Sequence, residues 1–310
     1  MPKINICTVV TGETLAEFRQ NLQDIQRVSD FVELRVDYIN GFKPEDVSAI
    51  KEKTTKRAIF TCRHQDEGGK FTGSEKERLA IIAEAAVAGF DHIDIELSAI
   101  DNLDRSRVSE GTKIICSYHD FDKTPNYKEL TGIVDQMRAK QVDVIKIVTT
   151  AKDDKDVKKL MKLLINKAAD ERMIVLGMGE EGKITRIIAP LFGSYLTFAS
   201  VGDSETAPGQ IDIEELREIY GQIDKSAQIM ANKLPTEHES TQPADRLDEE
   251  ALEEEYSGPS ARTIQREKAK RAPQGQTKGG LAERLKSNRG FVRSRRQPTI
   301  KIIDKTKKDG

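Results

Sequence analysis

Short runs rich in β-branched residues recur along the first two thirds of the chain, and stretches of helical character lie between them. The runs fall at 4–10, 31–36, 57–62, 92–97, 113–118, 142–148, 173–178 and 195–199. Several are apolar at consecutive positions, as strands covered on both faces must be. Candidate helices occupy 14–28, 74–88, 128–140, 153–170 and 212–231. The second opens on Ser74 with Glu77 three residues on, the spacing of a capping box. Parallel neighbours need a long crossover, and a helix is the usual one, so strand–helix alternation predicts a parallel sheet. Eight such units with a final helix predict a closed (β/α)8 TIM barrel over residues 1–232. An open doubly wound sheet is the rival arrangement.

Beyond Lys233 the composition changes. Residues 237–255 are strongly acidic, with Arg246 their only lysine or arginine, and residues 262–308 are strongly basic. Aromatic residues nearly vanish, which leaves little apolar surface to offset the entropy of ordering. Residues 233–310 are therefore expected to be a low-complexity, charge-segregated, mostly disordered tail. Phe291, Val292, Ile300, Ile302 and Ile303 leave room for one short strand or docking segment within it. The tail's basic run raises nucleic acid or an acidic partner as an alternative binding role, against the plainer reading of solvated charge. Over the whole chain 50 basic residues nearly balance 52 acidic ones, so any electrostatic function must be local. Three cysteines without a CxxC pair argue against a disulfide framework or thiolate metal site. With no signal-like or membrane-length apolar segment, a cytoplasmic location is the expectation.

A barrel of this kind carries its site at the C-terminal ends of the strands. There the sequence places Glu33 and Arg35, Arg63 with Glu67 in its loop, Asp94 and Glu96, His119, and Lys146. Met178 and Arg186 follow the seventh strand and Gln210 the eighth. Lys146 is the most informative. Alternation puts it on one face with Val144 and Val148. Inside a barrel, desolvation and nearby arginines would favour the neutral amine that attacks a ketone; the plain alternative is a lysine reaching out to water. His119, on the neighbouring strand, has the right chemistry for proton transfer near neutrality, although a structural core histidine is the commoner case. Glu67 is placed to orient it. Arg63 could recognise a carboxylate or hydroxyls, and Arg186 could fork onto a carboxylate or be an exposed helix arginine. Gly177, Gly179 and Gly182 spell GxGxxG, the dinucleotide fingerprint. Two adjacent acids, Glu180 and Glu181, and a position at the seventh strand rather than the first argue against it.

Several segments together give a resemblance: Glu33-Leu-Arg35-Val-Asp37, Arg63 with Glu67-Gly-Gly, Ser117-Tyr-His119-Asp-Phe121, Lys146-Ile-Val, Met178-Gly with Arg186, Phe192-Gly-Ser194 and Ala207-Pro-Gly-Gln210. In this order and spacing the chain from about Ile4 to Ile223 resembles the type I 3-dehydroquinate dehydratases. The resemblance implies a lyase of the shikimate pathway that needs no cofactor or metal. Lys146 would form a Schiff base with 3-dehydroquinate, His119 would carry protons in a syn elimination, and Glu67 would position His119. Arg186 would bind the substrate carboxylate. Glu33, Arg35, Arg63, Gln210, Thr206, Met178 and Phe198 would complete the substrate site, and a homodimer is one assembly the resemblance allows. Leu176 stands where many members have methionine, and Thr206 where serine is common. Another Schiff-base barrel enzyme, such as a class I aldolase, would share the lysine but would not need His119, Arg63 and Arg186 together.

Overall fold

The computed structural model describes residues 4–202 and 209–233. Thr206 and the expected disordered tail lie outside the described residues. All eight expected strands form: β1 (Ile6–Val10), β2 (Phe31–Arg35), β3 (Arg57–Thr61), β4 (His92–Glu96), β5 (Lys113–Asp120), β6 (Val144–Thr150), β7 (Met173–Met178) and β8 (Thr197–Ser200). A two-residue strand, β9 (Ile211–Asp212), adds to the edge of β8. The sheet order is β7-β6-β5-β4-β3-β2-β1-β8-β9, and the paired strands are parallel. Between β8 and β7 the ring closes through the Tyr195 amide, which donates to the Met173 carbonyl at 2.8 Å. The result is the (β/α)8 arrangement.

The helices are α1 (Leu15–Val28), α2 (Val47–Lys51), α3 (Glu75–Val87), α4 (Tyr127–Ala139), α5 (Asp154–Ile165), α6 (Thr185–Leu191) and α7 (Ile213–Lys233). Their starts follow local chemistry. Thr14 accepts from the Glu17 amide, Asp153 from the Asp156 amide, and Ser74/Glu77 and Asn126/Glu129 form reciprocal capping boxes. Sequence periodicity does not single out α2 and α6. One spans five residues, and the other seven with Pro190 inside it, too few turns to show a stripe. Among the described residues no helix is long and apolar enough to cross a membrane.

Strand alternation divides the core in two. Outward residues such as Val32, Phe60, Ile93 and Ile147 pack against Phe18, Leu22, Ile81 and Leu160 from the helices. Inward residues fill the barrel, and Cys7, Phe31, Ile59, Ile115, Val144, Ile174 and Leu196 make an apolar floor. His92 closes that floor with its Nε2 2.9 Å from the Tyr195 hydroxyl. Its Nδ1 is buried without a hydrogen-bond partner, and burial lowers the imidazole pKa to about 4. Above this dry floor the inward positions turn polar on β2 to β6 and stay apolar on β7 and β8. A site with one charged wall and one greasy wall follows from that division.

Candidate active site

Lys146 stands in the middle of β6, level with Ser117 of β5, and only 4% of it is exposed. Val144 and Val148 join it on the inward face, as alternation predicts. Its Nζ donates to Asp94 Oδ2 at 2.9 Å and to Glu33 Oε1 at 3.2 Å, and lies 4.7 Å from the centre of the Phe198 ring. The groups touching the amine are thus carboxylates rather than the arginines expected from the strand ends. The arginines are engaged elsewhere. Arg35 forks onto Asp37 through Nε and Nη2, each at 2.8 Å. Arg63 reaches the other oxygen of Asp94 at 2.7 Å and Glu96 Oε1 at 2.9 Å. Burial alone would raise the Asp94 carboxyl; Arg63 and Lys146 more than offset this and hold it well below the usual range.

His119 follows two residues beyond Ser117 on the same inward face, nearer the mouth. Glu67, at the end of a short 3-10 turn (Gln65–Glu67), meets it twice with one oxygen. Glu67 Oε2 lies 2.8 Å from His119 Nδ1 and accepts the His119 backbone N–H at 3.0 Å. An oxygen that accepts the backbone N–H is best matched by a protonated Nδ1, which leaves Nε2 as the ring's basic atom. Burial, followed by the charges of Arg63 and Lys146, pushes the imidazole well below its ordinary pKa. Burial also raises Glu67 to about 7, against the pull of Arg63. The pair therefore holds a neutral imidazole beside a carboxyl that titrates near neutrality.

The loop that brings Glu67 inward depends on glycine. Gly68 has φ +78° and lies against the Phe121 ring, which would come within 2.2 Å of any added Cβ. Arg186 lies in α6 rather than on an exposed helix face. It is 2% exposed, and its Nε donates to the Gly209 carbonyl at 2.8 Å. The carbonyl of Arg186 accepts from the hydroxyls of Thr197 and Tyr220, which fixes its backbone.

One cavity, open at its mouth, gathers these groups. Glu33, Arg35, Arg63, Glu67, His119, Lys146, Met178, Arg186, Phe198 and Gln210 all line it. Among the described residues no set of three or more His, Cys, Asp or Glu side chains is arranged to hold a metal ion. The GxGxxG glycines serve packing. An added Cβ on Gly182 would fall 2.4 Å from the Gly177 carbonyl carbon, and Thr185 Oγ1 accepts from the Gly177 amide while donating to the Gly182 carbonyl.

Residues 6–227 match the type I 3-dehydroquinase family. The chain belongs to this family. A 3-dehydroquinate dehydratase from Coxiella burnetii is 45% identical over 215 residues, 69% of this chain and 91% of that protein. One from Methanococcus maripaludis is 37% identical over 223 residues, 71% of this chain and all of that protein. Among solved structures, the Geobacillus kaustophilus 3-dehydroquinate dehydratase superposes with a TM-score of 0.66 at 27% identity, covering 72% of this chain and 92% of that one. A type I 3-dehydroquinate dehydratase from Clostridium difficile, solved with covalently modified comenic acid, gives 0.64 at 27% identity, covering 73% and 94%.

Four further residues line the cavity beyond those expected from the sequence: Gly68, Phe121, Val148 and Leu176. Alternation alone carries a signal for two of them, since Val148 shares a face with Lys146 and Leu176 with Met178. Gly68 and Phe121 come from loops, where periodicity says nothing about direction. Asp94 and Glu96 fall on the strand the sequence predicts, but no local pattern announces their partners, and nothing in the sequence singles out Arg78 on α3.

Proposed function

We propose that the chain dehydrates 3-dehydroquinate to 3-dehydroshikimate through a Schiff base on Lys146, as a step of the shikimate pathway. The observation that carries this reading is a buried amine and a buried imidazole on adjacent strands, both opening into one small cavity.

Lys146 gives up one proton, its neutral Nζ adds to the C3 ketone, and the carbinolamine takes one proton back on its hydroxyl and loses it as water, leaving an iminium. The iminium draws electrons from the adjacent C2–H bond. His119, neutral in its buried setting, accepts that proton at Nε2, and an enamine forms. The enamine expels the C1 hydroxyl as His119 returns the proton to it, so a second water leaves. Addition of one water across the product iminium releases 3-dehydroshikimate and restores the amine. Two waters leave and one is taken up, which balances a net dehydration. Glu67 holds the His119 tautomer and stabilises the transient imidazolium. Arg186 meets the substrate carboxylate. Glu33, Arg35, Arg63 and Gln210 hold its oxygens, and Met178, Phe198 and Leu176 cover the carbon face of the ring. The resemblance adds Thr206, which lies outside the described residues, to the substrate contacts.

Incubation with 3-dehydroquinate tests the reaction. The enone absorbance of the product should grow with wild-type protein and not with Lys146→Ala. Product formed at an undiminished rate by the alanine variant would remove the lysine from the mechanism.

A further inference from the structure

The face of α3 that packs on the barrel carries Ile81, Ile82, Ala85 and Ala86, and one turn before them the same stripe carries Arg78. A guanidinium in that position is anomalous, because it is 1% exposed among aliphatic side chains. It is fully engaged. Nε and Nη2 fork onto Glu75 at 2.7 Å, and Nη1 donates at 2.7 Å to both the Cys62 carbonyl and Glu96 Oε2. The other oxygen of Glu96 accepts from Arg63 Nη1 at 2.9 Å and from the His64 amide at 3.0 Å. Arg78 thereby holds the chain on both sides of Arg63, through the Cys62 carbonyl and, by way of Glu96, through the His64 amide.

From Arg63 the contacts continue inward. Its Nη1 donates to Ser117 Oγ at 2.7 Å, and its Nη2 pairs with Asp94, whose second oxygen meets Lys146. Three buried cations (Arg78, Arg63, Lys146) thus face three buried carboxylates (Glu96, Asp94, Glu33) in one contiguous chain. Glu75, at the outer end, is 42% exposed and answers to solvent. Stability is a weak reason for this arrangement, since well-packed apolar residues commonly replace buried ion pairs at no loss. Reactivity is a better one. A Schiff-base lysine between two carboxylates must release a proton, and the charge balance behind those carboxylates sets how readily it does so.

We propose that Arg78 is a positioning residue for the dehydratase reaction, acting through Glu96 and Arg63 to balance the carboxylates that hold Lys146 and to fix the strand end that leads to Glu67. The inference rests on the Lys146 Schiff-base reading. Besides this chain, the charged or titratable groups near Lys146 are His119 from β5, Glu67 from its 3-10 turn, Arg35 from β2, Cys7 from β1 and Arg186 from α6. Arg78 touches none of them, so a change at Arg78 reports on the relay.

The test follows the pH dependence of Schiff-base formation, by quenching single turnovers of the full chain and 3-dehydroquinate with borohydride. This reads formation of the Schiff base, ahead of the transfer of the C2 proton to His119. Arg78→Met leaves two cations against three carboxylates, and the pH at which trapping begins should rise by about one unit, as expected of one buried charge at an effective dielectric constant of about 20. Glu96→Gln keeps the shape and removes an anion, so it should move the onset the opposite way. The double variant should return it towards wild type, and Arg78→Lys should restore the onset while still lowering kcat, because an ammonium cannot span Cys62, Glu75 and Glu96 together. Circular dichroism checks folding. If Arg78→Met does not fold, the Glu96→Gln shift and the lowered kcat of Arg78→Lys at an unchanged onset decide the matter. An onset unchanged in Glu96→Gln, or moved upward, overturns the relay. Absence of an adduct in the wild type would instead sink the Schiff-base reading itself.

Discussion

Glu67→Gln isolates the charge on the group that touches His119. The amide keeps the size of the carboxyl, and its oxygen can still accept from both His119 Nδ1 and the His119 backbone, so tautomer and ring placement should survive. What disappears is the negative charge that, in the proposed mechanism, stabilises the imidazolium. A hydrogen bond to a charged partner contributes about 1.5–3 kcal/mol and a neutral one about 0.5–1.5 kcal/mol. The difference of about 1–2 kcal/mol corresponds to about a five- to thirtyfold loss in kcat. The pH dependence sharpens this. Burial raises Glu67 to about 7, so wild-type kcat should climb as pH rises through 7 and the carboxylate forms; the variant should lack that step. Stability runs in the opposite direction. A carboxyl with a folded pKa above its ordinary 4.5 contributes stability that is full below 4.5 and lost as pH rises through 7. The variant should therefore gain on the wild type above pH 7, by at most about 3 kcal/mol. Enone absorbance from pH 5.5 to about 9 and urea melts at the two ends measure both effects. A Gln variant that turns over at the wild-type rate and keeps the limb near 7 would refute the role assigned to the Glu67 charge.

Other expectations follow from the same geometry. Arg186→Ala should weaken binding of a carboxylate-bearing substrate or product by about 2–4 kcal/mol in calorimetric titration, with a smaller effect on a ligand lacking the carboxylate. His92 is neutral in the barrel floor with its pKa lowered to about 4, so stability present above 6.5 should fall as pH drops from 6.5 to 4, by about 3 kcal/mol, and His92→Leu should flatten that part of the urea-stability curve. A chain ending at Lys233 should keep full dehydratase turnover, because the family match stops at residue 227 and every described cavity residue precedes it. A matching loss of salt-sensitive nucleic-acid retention would assign the removed residues a separate binding role.

The barrel was legible because its signal is periodic and repeated. Several of the β-branched runs read as buried on both faces, and eight recurrences with a final helix favour the barrel over an open doubly wound sheet. Candidate site residues were legible for the same reason, since Glu33, His119 and Lys146 fall at inward positions of these strands and Arg63 just beyond the end of β3. Direction inside the barrel was harder to read. That Arg63 turns towards Asp94 and Glu96, so that the Lys146 amine meets carboxylates, depends on strand register, which a single sequence does not encode locally. Local pattern leaves Arg186 open between a carboxylate fork and an exposed helix arginine, because α6 is too short to show a buried face. Arg78 was hidden within a helix whose capping box is plain and whose charged first turn looks solvated. Phe121 and Gly68 meet across two loops 53 positions apart, a contact no local pattern announces.

The central claim concerns a covalent bond at one residue. Wild-type protein saturated with 3-dehydroquinate, reduced with borohydride and digested should yield a single modified peptide, with the added mass on Lys146. His119→Ala should show the same adduct while turning over at least about 100-fold more slowly. Active wild-type protein that carries no reduced adduct, or carries it on a different lysine, contradicts the account.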